Sequence, residues 1–125
     1  MPSALEIRLC GGLLALNRLS MTLQNKRMPV EGLTLARNGA EVRVTVVLDC
    51  EGETARRYAA LLSGLEDVSE AGVVADLEEV ALVRADGRCE AVSGSPEYVE
   101  RWLAENEVED AVRLGPVARP GKGAC

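Results

Sequence analysis

Histidine and phenylalanine are missing from this 125-residue chain, and one Trp and two Tyr are its only aromatic residues. Without histidine, acid–base chemistry falls to carboxylates or to a lysine of shifted pKa. Metal binding loses its commonest ligand as well. Scarce aromatics remove the platforms on which single-stranded bases stack. No basic block stands out beyond Lys26-Arg27, and 20 acids outnumber 14 bases for a net charge of −6. Such a balance is repelled by phosphate backbones and by anionic lipid surfaces, so neither nucleic acid nor membrane is expected as a partner. No apolar run approaches the roughly 20 residues that a membrane helix needs. The N-terminal residues lack a basic segment followed by a long apolar run, so no export signal is expected.

The four cysteines, Cys10, Cys50, Cys89 and Cys125, are widely spaced and form no C-x-x-C pair. They read as reduced thiols of a cytoplasmic protein rather than as a zinc site or a disulfide frame. Cys10 and Cys50 sit in apolar, strand-like surroundings, where a thiol acts as a small hydrophobe. No metal and no cofactor is expected.

What the chain does have is aliphatic: 47% of residues are hydrophobic, almost all Leu, Val, Ile, Ala and Met. A chain of this length buries enough of that surface to fold without a staple. Leu5, Ile7 and Leu9 alternate with Glu6 and Arg8, which predicts a half-buried strand. Gly11-Gly12 interrupts it. Leu13, Leu16, Leu19 and Leu23 then recur at helical spacing, and Pro29 is expected to mark the end of that helix. Asn38-Gly39 lies between two alternating runs, which predicts a type I′ hairpin over residues 30–48 with Leu35 opposite Val42 and Leu33 opposite Val44. A second helix is expected over 53–63, with Gly64 as a left-handed cap. A fourth strand follows near 68–75. Leu77 to Val83 continue it or form one more strand.

The expected fold class is α+β. The order strand, helix, strand, strand, helix, strand is the ferredoxin-like βαββαβ arrangement, a four-stranded antiparallel sheet with two helices on one face. It is expected over residues 4–84. Residues 85–118 form a C-terminal extension, with a turn at Asp86-Gly87 and a short helix opened by Ser95-Pro96-Glu97. Residues 119–125 read as a flexible tail.

Two stretches carry a resemblance to a known family. Leu16-Asn17-Arg18-Leu19, together with Lys26-Arg27-Met28-Pro29-Val30-Glu31-Gly32-Leu33-Thr34-Leu35, resembles the first helix, basic turn and second strand of ACT domains. Leu61-Leu62-Ser63-Gly64-Leu65-Glu66-Asp67-Val68 resembles the end of their second helix. The likeness covers a little over half the chain and is nearest to the small regulatory subunits of acetolactate synthase. It implies a non-enzymatic, regulatory, amino-acid-sensing module that forms a homodimer and serves a catalytic enzyme subunit of branched-chain amino acid biosynthesis. It also implies an effector site between the first strand and first helix. Here that site maps to Gly11, Gly12, Leu13 and Leu14, beside Pro29 and Val30 of the same or the partner chain. Where the family has a Gly and an Asn before its second strand, this chain has Arg27-Met28-Pro29-Val30. That departure predicts weak binding, or none, of valine, leucine and isoleucine.

Each candidate has a plainer counterpart. Gly11-Gly12 before a helix is either an anion cradle or a tight turn. Val30 and Val47, expected to face each other, form either a partner patch or a pair under a loop. Trp102 on an amphipathic helix reads as core. Glu51 with Glu53, and Glu78 with Glu79, read as solvated acids, and Ser20, Ser63 and Ser69 have no activating context. A protein-interaction domain without an effector site and a small ferredoxin-like enzyme stay as alternatives. The phosphate-loop arginine of acylphosphatases, however, has no counterpart in Cys10 to Leu14.

Overall fold

In the computed structural model, which describes residues 2–120, β1 (Ser3–Leu9) leads into α1 (Gly12–Asn25). Then come β2 (Val30–Asn38), β3 (Glu41–Leu48), α2 (Gly52–Ser63) and β4 (Val68–Val74). The four strands form an antiparallel sheet in the order β2-β3-β1-β4. They make up the first of two compact units, Met1–Ala75. The second, Asp76–Cys125, holds β5 (Leu77–Ala85), β6 (Arg88–Gly94), α3 (Pro96–Glu105) and β7 (Asp110–Ala118), with an antiparallel sheet in the order β6-β5-β7. Among the described residues the chain is α+β with three helices and two antiparallel sheets, compatible with a ferredoxin-like arrangement.

Alternation builds the first core. Leu5, Ile7 and Leu9 of β1 oppose Val46, Val44 and Val42 of β3, and all but Val42 are buried. Ala15, Leu19 and Leu23 of α1 and Ala55, Ala59 and Leu62 of α2 join the same cluster. The outer face of the sheet places Arg8 opposite Arg43, a like-charge pair that would repel. Glu6 bridges them, accepting from Arg8 at 3.4 Å and from Arg43 at 2.6 Å.

Several expectations need correction. The hairpin register is Leu35–Val44 and Leu33–Val46, two residues from the predicted pairing. Asn38 pairs with Glu41, so Gly39 and Ala40 form the turn. Gly39 has φ +64° and Ala40 has no positive φ, the pattern of a type II′ turn. A two-residue slip preserves the faces, so alternation alone could not detect it. Val30 pairs with Leu48 rather than facing Val47. Gly64 ends α2 in the right-handed region, not the left. Cys10 is exposed rather than packed.

The first helix stops at Asn25, well before Pro29. Arg27 takes φ +51°, donating its N–H to the Gln24 carbonyl, and the Met28 N–H reaches the Leu23 carbonyl, both at 3.0 Å. These are the two bonds of a Schellman cap, with Met28 and Leu23 both buried as its apolar contact. An arginine occupies the position that favours glycine.

In the second unit the boundary lies between Ala75 and Asp76 rather than after residue 84, because β5 pairs with β6 and β7. Asp86 and Gly87 both have positive φ, a type I′ turn. Ser95 caps α3 by accepting from the Tyr98 N–H at 3.1 Å, with Pro96 at the first position. Ala81, Val83 and Val99 form the core, with Trp102 and Leu103 packed against it. Arg119 is tied in, since its N–H donates to the Asp76 carbonyl and its guanidinium to Glu78. The remainder of the expected tail, 121–125, lies outside the described residues.

Glu79 is not a solvated acid. Its side chain is 4% exposed and accepts from Arg113 Nε at 2.5 Å. That hydrogen bond raises the Arg113 guanidinium above its ordinary pKa. Arg113→Leu is expected to cost about 2–3 kcal/mol by leaving a buried carboxylate unpartnered, and Glu79→Leu with Arg113→Leu should recover most of that loss. Urea unfolding of the three proteins checks both. By the same measurement, Arg27→Gly is expected to stabilise by about 0.5–1 kcal/mol, through relief of left-handed strain.

Candidate functional site

The β1–α1 turn is a backbone feature before it is a side-chain one. Gly11 takes φ +112° and ψ +8°, and Gly12, the first helical residue, takes φ +67°. These conformations reverse the chain within two residues, and only glycine adopts both without strain. No side chain caps α1, and its first turn holds no acid. The early amides of the helix are therefore left for an external acceptor.

One carboxylate of the chain lies close by. The Cys10 N–H donates to the Asp67 carbonyl at 2.9 Å. Asp67 Oδ1 is 3.5 Å from where a Cβ on Gly11 would stand. Asp67 Oδ2 accepts from Arg18 at 2.8 Å, so the acid is paired with the helix whose start it flanks. Both α1 and the loop after α2 thus contribute to this end of the sheet. Asp67 entered the sequence reading only as part of the 61–68 resemblance, with no role at this site. Its place just before β4, which follows β1 in the sheet order, is what brings it to Gly11.

The structure does not bring all six predicted residues together within one chain. Gly11, Gly12, Leu13 and Leu14 follow Leu9, which pairs with Val42 near the hairpin turn. Val30 pairs with Leu48, which pairs with Ser3 at the start of β1. Pro29 and Val30 therefore lie at the opposite end of the sheet. The neighbours of the α1 start are instead the hairpin residues. Gly12, Leu13, Leu16, Leu35, Arg37 and Val42 line an open groove of about 380 Å³.

Leu13 is 81% exposed, and Leu14 is exposed beside it. Of the expected stripe, Leu19 and Leu23 are buried together with Ala15, Leu16 packs partly buried against them, and Leu13 points outward. Leu33 and Leu35 of β2 are 44% and 41% exposed, although they share the helix-covered face with Val46 and Val44. The helices cover the middle of the sheet and leave its β2 side open. Among the described residues no group of three or more Asp, Glu, Cys or His is placed to hold a metal. No helix there is long and apolar enough to cross a membrane.

No protein-family model matches the chain, and no curated protein matches it in sequence. Among solved structures it is similar to the acetolactate synthase small subunit from Thermotoga maritima. The TM-score is 0.75 at 14% identity, over 95% of this chain and 96% of that one. At this identity the likeness is one of fold alone.

Alanine at Gly11 is expected to cost about 2 kcal/mol from backbone strain at φ +112°, since the Cβ itself would stand at ordinary contact distance from Ala15 and Asp67. At Gly12, where nothing lies within 4 Å, the expected cost is nearer 1 kcal/mol. Guanidinium unfolding of both variants tests the order.

Proposed function

We propose that the chain is a non-catalytic regulatory module of the ACT type, a small subunit that serves a catalytic partner such as acetolactate synthase. The observation that carries this is the end-to-end likeness of fold to a small subunit, across both compact units. The residue likeness in 16–35 and 61–68 points the same way. In this reading the βαββαβ unit forms a homodimer, and its exposed β2 edge and the exposed Leu13 and Leu14 are interface.

A two-fold axis through antiparallel β2 strands gives Pro29 and Val30 a role that a single chain cannot. The start of β2 in one protomer then lies beside the end of β2 in the other, next to the Gly39 turn. That end carries Gly11 to Leu14. The effector site is accordingly shared: helix-start amides and apolar side chains from one protomer, and Pro29-Val30 from its partner. Free amides at a helix start suit a small carboxylate, and the leucines suit an aliphatic body.

One observation favours a second reading, an interaction domain without an effector. Asp67 already stands beside the cradle and disfavours a second carboxylate there. The replacement of the family's Gly and Asn by Arg27 and Pro29 adds to this.

Two measurements test these readings. Light scattering is expected to report a dimer at high micromolar concentration, and a monomer would count against the module as proposed. A thermal-shift screen of amino acids at millimolar concentration separates the two readings. A ligand at about 100 times its Kd adds roughly 2.7 kcal/mol, or about 5–15 °C in Tm. Any shift should vanish in Gly12→Val, judged against that variant's own baseline, and grow in Asp67→Asn. A flat screen leaves the interaction domain.

A further inference from the structure

We infer that a pocket between α1 and the loop after α2 binds a short, branched primary amine, its alkyl body on an apolar floor and its ammonium on Asp67 and Glu66. The pocket lies wholly within the first unit, so its occupancy needs neither a second protomer nor the shared effector site. Its volume is about 140 Å³. Leu9, Ala15, Leu19 and Val68, all buried members of the first core, line its inner part, with Leu65 packed beside them. Ala15 presents only a methyl group to this space. The β1–β4 ladder is irregular here, with a register shift between Arg8 and Leu9. Such irregularities open a sheet locally. An apolar cavity of about 150 Å³ holds benzene, so an alkyl body of roughly four or five carbons fits this one.

The mouth selects the head group. It carries the carboxylates of Glu66 and Asp67 and the guanidinium of Arg18. Arg18 already donates to Asp67 Oδ2 at 2.8 Å. Among the described residues Asp67 Oδ1 accepts no hydrogen bond, and Glu66 is exposed and enters no ion pair. The unmet groups are therefore acceptors of negative charge, which suit a cationic donor. The Asp67 side chain is 20% exposed, so an ammonium bound there is partly shielded from water.

Other head groups fit less well. A carboxylate meets the same two acids and finds the one cation taken. An α-amino acid carries both head groups and loses by the second what it gains by the first. A lysine side chain of another protein would enter ammonium first and set its charge on the apolar floor. The occupant is thus a free amine whose alkyl end leads.

Methyl NMR of the full chain, titrated with isopentylamine at neutral pH, tests this. The amine is charged there, as a lysine ammonium is. The methyls of Leu9, Leu19, Leu65 and Val68 are expected to shift and to saturate in the millimolar range, while those of Leu33 and Leu35 stay. Isopentanol, of nearly the same shape without the charge, and leucine are each expected to bind about tenfold more weakly. Asp67→Asn should weaken the amine about tenfold, and Glu66→Gln, at an exposed position, about threefold. Gly12→Val should leave amine binding unchanged. That pattern is the reverse of the shared effector site, where Gly12→Val abolishes binding and Asp67→Asn raises it. Circular dichroism checks the fold of Asp67→Asn; if that variant unfolds, Glu66→Gln and the alcohol still decide. An amine that moves no pocket methyl, an alcohol that binds as tightly as the amine, or an affinity that neither acid substitution lowers would overturn the assignment.

Discussion

Burial of Leu5, Ile7 and Leu9 on one face of β1 is the constraint on which the first unit depends. β1 is the only strand in that unit that pairs with both an antiparallel hairpin strand and the strand after α2, so its apolar face defines the plane of the core. The two helices are held there because their own stripes, Ala15-Leu19-Leu23 and Ala55-Ala59-Leu62, complete that layer. With no Phe in the chain, the layer is filled by aliphatic side chains throughout. Small residues such as Ala15, Ala55 and Ala59 let the helix backbones approach the sheet without large side chains between.

The polar side of the same strand is organised by one acid. Glu6 lies between Arg8 and Arg43, which face each other across β1 and β3. Arg8 also approaches Glu41 and Glu70 at 3.9 and 3.7 Å. Glu79 does comparable work in the second unit, but from inside: it is buried and accepts from Arg113. A carboxylate on the covered face of a three-stranded sheet ties β7 to β5 by charge as well as by backbone pairing.

The packing of the first unit is incomplete along one margin. The helices satisfy the centre of the first sheet and leave its β2 margin, the start of α1 and the hairpin end exposed. Apolar side chains there have no use inside one chain. In the dimer proposed above, Gly11 to Leu14 of one protomer would come beside Pro29-Val30 of its partner.

Elements defined by local periodicity were legible from the residues alone. The alternation at 5–9 and 41–48, the helical stripes, the Asp86-Gly87 turn and the Ser95 cap each express a nearest-neighbour rule. What the sequence determined by itself was therefore the order of elements and which side of each is apolar. Tertiary structure decided the rest. It set the hairpin two residues along, since a slip of two leaves every face unchanged. It ended α1 by a Schellman cap at Arg27, which depends on Met28 reaching the core beside Leu23. It left Leu13 exposed by turning α1 onto Ala15. It buried Glu79, whose partner Arg113 is distant in sequence, and set Asp67 beside Gly11. Such pairings depend on how strands are ordered and how helices are rotated, and those are settled by packing the whole layer, which no local window contains.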